Sequence, residues 1–302
     1  MKRIVAPIIF PLITAMIWGS SFVAQSSSTE HVGALTFNAS RPLVAFVVLL
    51  LFVPIFRRFE RSGRPSPTPV QRKANFRHLI WGGFCCGTAL ALACNLQQLG
   101  LVDTDAGKSA FLTAMYIVLV PLLGIFLKKK PSIMVPISVT LAVAGLYCLS
   151  CVGVTSISTS DLLLIACAFM FAVQILFVDH FAADVDPLRM NAIQAAVCAV
   201  LSGIVMIFTE APRMDAIWAC WFPLAYAGFL SMGAAYTLQI VGQKHIEPAA
   251  ASLIMSLESV FAVLFGGLLL KETMTPWEIV GCQLVFIAVV LSQVPVPVKK
   301  KR

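Results

Sequence analysis

Charge is scarce in this sequence. Of its 302 residues only 12% are Asp, Glu, Lys or Arg, while 59% are hydrophobic; a soluble globular domain carries about 25% charge. With a mean hydropathy of +0.90, that scarcity excludes a water-soluble fold built around one or two cores. Constellations that carry chemistry are equally thin. Cys148 and Cys151 form a C-x-x-C pair, but no His or second Cys pair flanks it and no βαβ pattern surrounds it. The nine cysteines therefore read as small buried apolar residues rather than a disulfide or zinc framework. "DAGKSAF" (Asp105–Phe111) ends like a phosphate-binding loop, yet Val102 stands where that motif needs its first glycine. His180 and Asp184 would share a helix face, but no nucleophile or orienting third group accompanies them. These absences argue against an enzyme, a metal and a cofactor. Large segments outside the apolar runs are missing too. The longest, about Arg57–His78, is rich in Pro, Ser and Arg and is expected to be a flexible basic connector.

What fills the chain is long apolar runs. At roughly 18 or more residues per crossing there are ten, near Ile4–Gln25, Ala34–Phe56, Leu79–Leu99, Lys108–Leu127, Ile133–Cys151, Leu162–Val178, Pro187–Phe208, Trp218–Gln239, Ala249–Leu270 and Ile279–Val294. The expected fold class is an all-α integral membrane protein with ten transmembrane helices. The first run follows a basic start, as a signal peptide does, but it is too long for one and no A-x-A site follows; it reads as the first span. With the N-terminus placed in the cytoplasm, every basic residue except Arg41, Lys108, Arg213 and Lys271 falls on the inner side. That bias predicts two cytoplasmic termini. It also assigns the net charge of +8 to an anionic membrane surface rather than to nucleic acid.

The chain repeats itself about the connector "GVTSISTS" (Gly153–Ser160). Ala15–Phe22 parallels Ala168–Ile175, Leu35–Asn38 parallels Leu188–Asn191, and Gly82–Phe84 parallels Ala227–Phe229. Gly124–Lys128 parallels Gly267–Lys271. Residues 1–152 and 160–302 thus form two repeats of five spans. An odd number per repeat makes the two enter the membrane in opposite directions, an inverted repeat with its binding site expected near the midplane.

The stretches "AMIWGSSFV", "LQQLGLVDTDAGKSAFLTAMYIVLVPLL" and "SLESVFAVLFGGLLLKETMTPWEIVGCQLVFIAVVL" resemble the drug/metabolite transporter superfamily, specifically its ten-span EamA-type proteins. The resemblance covers essentially the whole chain. It implies two inverted five-helix repeats and secondary transport of a small metabolite or drug-like compound, with export as the direction, in a bacterial-type inner membrane. The family's ninth span usually reads E-P-x-x-A; here Glu258-Ser259-Val260-Phe261-Ala262 keeps the acid and replaces the proline.

Polar residues inside the runs are the candidate cavity residues: Trp18, Ser21, Asn38, Arg41, Tyr116, Gln174, Asn191, Tyr236 and Glu258. Each needs a partner away from lipid, and either an interhelical hydrogen bond or a wet cavity supplies one. Arg41 either snorkels to the interface or turns inward to an anionic group, and the resemblance favours the second. Gly83-x-x-x-Gly87 suits close helix packing, and Pro121 suits a kink in the fourth span.

Glu258, shut inside Ala249–Leu270, has three readings. It fixes packing, protonated or paired with Arg41; it holds a cationic substrate group; or it exchanges a coupling proton. The expected partners are a small-molecule substrate, the bilayer and, on the third reading, that proton. The sequence carries no signal for oligomeric state. Uptake of a nutrient or cofactor precursor is the nearest rival function. An integral membrane enzyme or a non-transporting scaffold is the rival from another class.

Overall fold

Backbone N–H and C=O groups in hydrocarbon must be satisfied within their own segment, which leaves the apolar runs helical. The computed structural model describes residues 2–28, 31–60, 69–104, 106–128, 132–150, 158–270 and 275–293. Cys151, residues 153–157 of the connector, residues 61–68 of the basic loop and the basic tail 299–302 lie outside them. The helices are α1 (Lys2–Ser28), α2 (Ala34–Glu60), α3 (Pro69–Leu101), α4 (Ala106–Ala114), α5 (Tyr116–Phe126), α6 (Met134–Ser150) and α7 (Thr159–Phe181). Then come α8 (Pro187–Thr209), α9 (Met214–Ala219), α10 (Trp221–Tyr226), α11 (Tyr236–Gln243), α12 (Pro248–Met255), α13 (Leu257–Leu270) and α14 (Pro276–Ser292). A wider π-helical segment, Ala227–Ala235, joins α10 to α11. Among the described residues eight spans are long and apolar enough to cross a bilayer, and Met134–Leu149 and Pro276–Ser292 form two shorter ones.

One expectation needs correcting. The segment before the third span is not all flexible connector, because α3 begins at Pro69 rather than Leu79. Proline is tolerated at a helix's first position, and Val70–His78 contain no further Pro or Gly.

The helix pairings reveal the internal repeat. The first span packs on the ninth and eighth, and the sixth on the fourth and third. The second packs on the eighth and the seventh on the third; second meets seventh, fourth meets ninth, and fifth meets tenth. Exchanging the first five spans with the last five turns this set into itself. Gly83 and Gly87 hold the third span tight against the seventh. A Cβ on Gly83 would lie 2.5 Å from Ile193 Cγ2, and one on Gly87 would lie 2.7 Å from Val197 Cβ. Leu43, Val47, Leu51, Ile207 and Phe208, among other large apolar side chains, are exposed on the outside of the bundle, where lipid covers them.

Candidate functional site

The fourth and ninth spans each tighten to i→i−3 hydrogen bonds at one residue near mid-depth, with the backbone still in right-handed helical conformation. Met115 separates α4 from α5, and Ser256 separates α12 from α13. In the fourth span the break falls on the N-terminal side of Pro121, not at it. Proline's ring crowds the carbonyl four residues back, here Ile117, and supplies no N–H to it. The ninth span breaks without the proline of the family pattern. Ser252 and Ser256 donate their hydroxyls back to Ala249 O and Leu253 O, both at 2.8 Å. Such back-bonding competes with the backbone ladder and bends helices.

The two breaks bring Tyr116 and Glu258 together, each in the first turn of the resumed helix. Tyr116 donates its hydroxyl to Glu258 Oε1 at 2.9 Å. Gly19 makes room for the first span beside them: a Cβ there would lie 2.5 Å from Phe261 Cβ and 2.7 Å from Glu258 O. Its neighbour Trp18 packs on Tyr236 with ring centroids 4.8 Å apart.

These side chains surround a small central cavity of about 30 Å³, room for roughly two waters. The first span contributes Trp18, Phe22 and Gln25, the second Arg41, the third Gln97, and the fourth Thr113 and Tyr116. Phe171 comes from the sixth, Ser231 and Tyr236 from the eighth, and Glu258 from the ninth. Arg41 and Glu258 are 2% and 3% exposed, and they do not pair with each other. Arg41 donates through one terminal nitrogen to Gln25 Oε1 and lies over the Phe37 ring, 5.7 Å from its centroid. Arg41 Nε and Trp18 Nε1 are buried without a hydrogen-bond partner.

The nine sequence candidates therefore divide. Trp18, Arg41, Tyr116, Tyr236 and Glu258 line the cavity; Ser21, Asn38, Gln174 and Asn191 are not among its lining residues, Ser21 bonding within α1 and the other three tying helices together. Ser21 accepts from Gln25 Nε2, at 3.3 Å through its hydroxyl. Asn38 donates to Cys94 O and, at 3.2 Å, to Asn95 Oδ1 on the third span. Gln174 bonds Gln194 at 3.1 Å and Gln239 at 3.4 and 3.1 Å. Asn191 donates to Met232 O at 3.0 Å and Gly233 O at 2.9 Å, both in the π-helical segment. Phe22 and Gln25 were not singled out from the sequence, although Trp18, Phe22 and Gln25 follow the i, i+4, i+7 spacing of one helix face. His180 is exposed, its ring packed edge-on to Phe181 at 4.7 Å. Among the described residues no group of three or more His, Cys, Asp or Glu is placed to hold a metal ion.

The two ends of the bundle differ. At the end where α1 begins, a vestibule of about 500 Å³ lies between Val120, Pro121 and Gly124 of α5, Asp179 and Ala183 near the end of the sixth span, and the turn Gln243–Ala249. Val120 follows Tyr116 by one helical turn, about 6 Å, so a thin layer parts vestibule from cavity. The opposite end is bolted. Lys108 Nζ lies 2.7 Å from Asp161 Oδ1, joining the fourth span to the sixth. Glu210, at the end of the seventh span, accepts from the Leu35 and Thr36 backbone N–H groups at 2.9 and 2.8 Å and from the Thr36 hydroxyl at 2.7 Å. It caps α2 from another helix.

Comparison with known proteins adds three findings. The model of the EamA-like transporter family matches residues 5–151 and 158–293. An uncharacterized transporter of Archaeoglobus fulgidus is 28% identical over 296 residues, spanning 96% of this chain and 86% of that protein. A protein of known crystal structure shares the fold with a TM-score of 0.72 at 17% identity, over 95% of this chain and 96% of that one.

Proposed function

We propose that this chain, which belongs to the EamA-like transporter family, is a secondary active transporter. On this reading it moves a small organic compound by alternating access, with export as its direction. The observation that carries the proposal is the Tyr116–Glu258 contact, where two interrupted spans meet at a closed central cavity. Interrupted helices at mid-depth, one in each repeat, are how transporters bring polar groups to a substrate without exposing backbone to lipid. The thin layer toward the vestibule and the bolted opposite end fit a closed form poised to open on the vestibule side.

Glu258 is the carboxyl group among the lining residues, and on this reading its charge state affects transport. A metabolite comparison of cells with and without the protein identifies transported compounds, and purified protein in liposomes then moves them. Glu258→Gln keeps size and hydrogen bonding. It is expected to leave expression and unfolding temperature nearly unchanged while altering the transport rate or removing its pH dependence. Normal transport at every pH by the folded variant would make Glu258 a packing residue. Failure of the liposomes to move any compound found in the cells would sink the transporter mechanism itself.

A further inference from the structure

Two cations at the start of the third span have no anion to answer them. Lys73–His78 of α3 are all exposed, and one side of the helix turns inward only from Leu79 on. Lys73 and Arg77 stand one turn apart, a spacing at which like charges repel. The sequence of α3 contains no Asp or Glu. The ion pairs recorded among the described residues, Lys108–Asp161, Arg189–Asp186 and Arg213–Asp215, include neither cation. Phe76, Ile80, Trp81 and Phe84 share their face and are exposed as well, Trp81 and Phe84 meeting edge-on at 6.2 Å. At 3.6 residues per turn these six occupy about 140° of the helix circumference. The buried positions Leu79, Gly82, Gly83 and Cys86 take the other side.

We propose that this face binds an anionic phospholipid from the leaflet on the vestibule side. Its phosphodiester lies between Lys73 and Arg77, and its acyl chains run along Ile80, Trp81 and Phe84. The face passes from charged to aromatic along its length, as a phospholipid passes from headgroup to chain. Lys73 to Phe84 spans about 16 Å, comparable with the hydrocarbon of one leaflet, about 15 Å. A guanidinium fork suits a phosphate, and the lysine adds a point charge. Tryptophan favours the depth at which headgroup meets chain. A zwitterionic lipid brings its own cation to the two already there. A water-soluble phosphate meets the cations but leaves the aromatic half of the face unused. The bound lipid also flanks the vestibule. The His78 ring packs edge-on to Phe181 at 6.0 Å, and a Cβ on Gly82 would lie 2.8 Å from Phe181 Cβ. Phe181 stands between Asp179 and Ala183 of the vestibule wall, so the lipid braces the helix behind that wall. Lipid binding is independent of the transport reading and is measured without any transported compound.

The test places the full chain in phosphatidylcholine nanodiscs with a graded fraction of lipid brominated high on one acyl chain. The brominated lipid is either phosphatidylglycerol or phosphatidylcholine. Bromine quenches nearby tryptophan, and the contribution of Trp81 is the difference between the wild type and Trp81→Phe. At low salt, brominated phosphatidylglycerol is expected to quench Trp81 at about tenfold lower mole fraction than brominated phosphatidylcholine. High salt should narrow that gap. The double variant Lys73→Gln/Arg77→Gln should bring the two lipids to parity. Lys128→Gln removes an exposed cation after α5, at the same end of the bundle, and should leave the preference in place. Equal quenching by the two lipids in the wild type overturns the proposal, and that comparison decides alone if the double variant fails to fold. A preference that survives the double variant, or that Lys128→Gln removes as fully, overturns it too, since either belongs to the overall surface charge. Displacement of the brominated phosphatidylglycerol by millimolar glycerophosphate overturns the lipid assignment in favour of a soluble phosphate.

Discussion

Polar side chains inside the membrane are alike in composition and are sorted only by their partners. Tyr116 and Asn191 illustrate the two fates. Tyr116→Phe keeps the ring but leaves the buried Glu258 carboxyl without its donor, a loss of about 1–3 kcal/mol. The unfolding temperature in detergent should fall, and transport should slow with it. Asn191→Ala strips a donor from the Met232 and Gly233 carbonyls at a cost of similar size, about 1–3 kcal/mol. There the unfolding temperature should fall while the order of preference among transported compounds stays unchanged. A shift in that order would move Asn191 into the binding site. Glu258 and Arg41 stood out in the sequence because a charge inside an apolar run always demands an explanation. Asn38, Gln174 and Asn191 could not be told from cavity residues, because the carbonyls and amides they serve lie on other spans. For Asn191 those carbonyls lie in the π-helical segment of the eighth span.

Helices were legible where composition alone decides them and illegible where a neighbour does. Ten apolar runs announced ten spans. The break at Met115 falls more than a turn before the proline that suggested it, and the break at Ser256 has no proline at all. The first follows from the proline's effect on the turn before it, the second from the back-bonded hydroxyls of Ser252 and Ser256. The close crossing at Gly19 is equally hidden in sequence. Gly19→Ala would drive a methyl to 2.5 Å from Phe261 Cβ, and overpacking of this kind costs about 1–3 kcal/mol. The variant should unfold at lower temperature and lose transport in parallel, since the same crossing sets Trp18 beside the ninth span's break. The cap on α2 offers a contrasting case. Glu210→Ala removes the acceptor for Leu35 N–H, Thr36 N–H and the Thr36 hydroxyl, worth about 0.5–2 kcal/mol for a helix cap. Lower stability with an unchanged ligand preference is expected, because the cap sits at the bolted end and none of its groups lines the cavity. Unchanged stability would show that water replaces the carboxylate there.

Across the whole molecule, the repeat seen as scattered sequence matches becomes a set of helix pairings that survives exchange of its halves. Five spans per half then set the topology: reporters fused after Ser66 and after Arg302 should read cytoplasmic, and one near Asp161 external. A cytoplasmic signal at Asp161 would contradict the opposed orientation of the halves. The pairing of the fifth and tenth spans has a consequence for the surrounding lipid. Helix α14 has 17 residues, so it is about 25 Å long, against a hydrocarbon core of about 30 Å. Of the paired helices α6 and α14, the second is bounded at both ends, by Thr275 and Gln293, so its shortfall falls along one flank, and the acyl chains there must compress to meet it. That flank abuts the two interrupted spans, so a stiffer or thicker membrane presses on the elements that have to move. Transport in liposomes should therefore slow as phosphatidylcholine chains lengthen beyond the best-matched thickness, while detergent-solubilised protein binds its ligand unchanged.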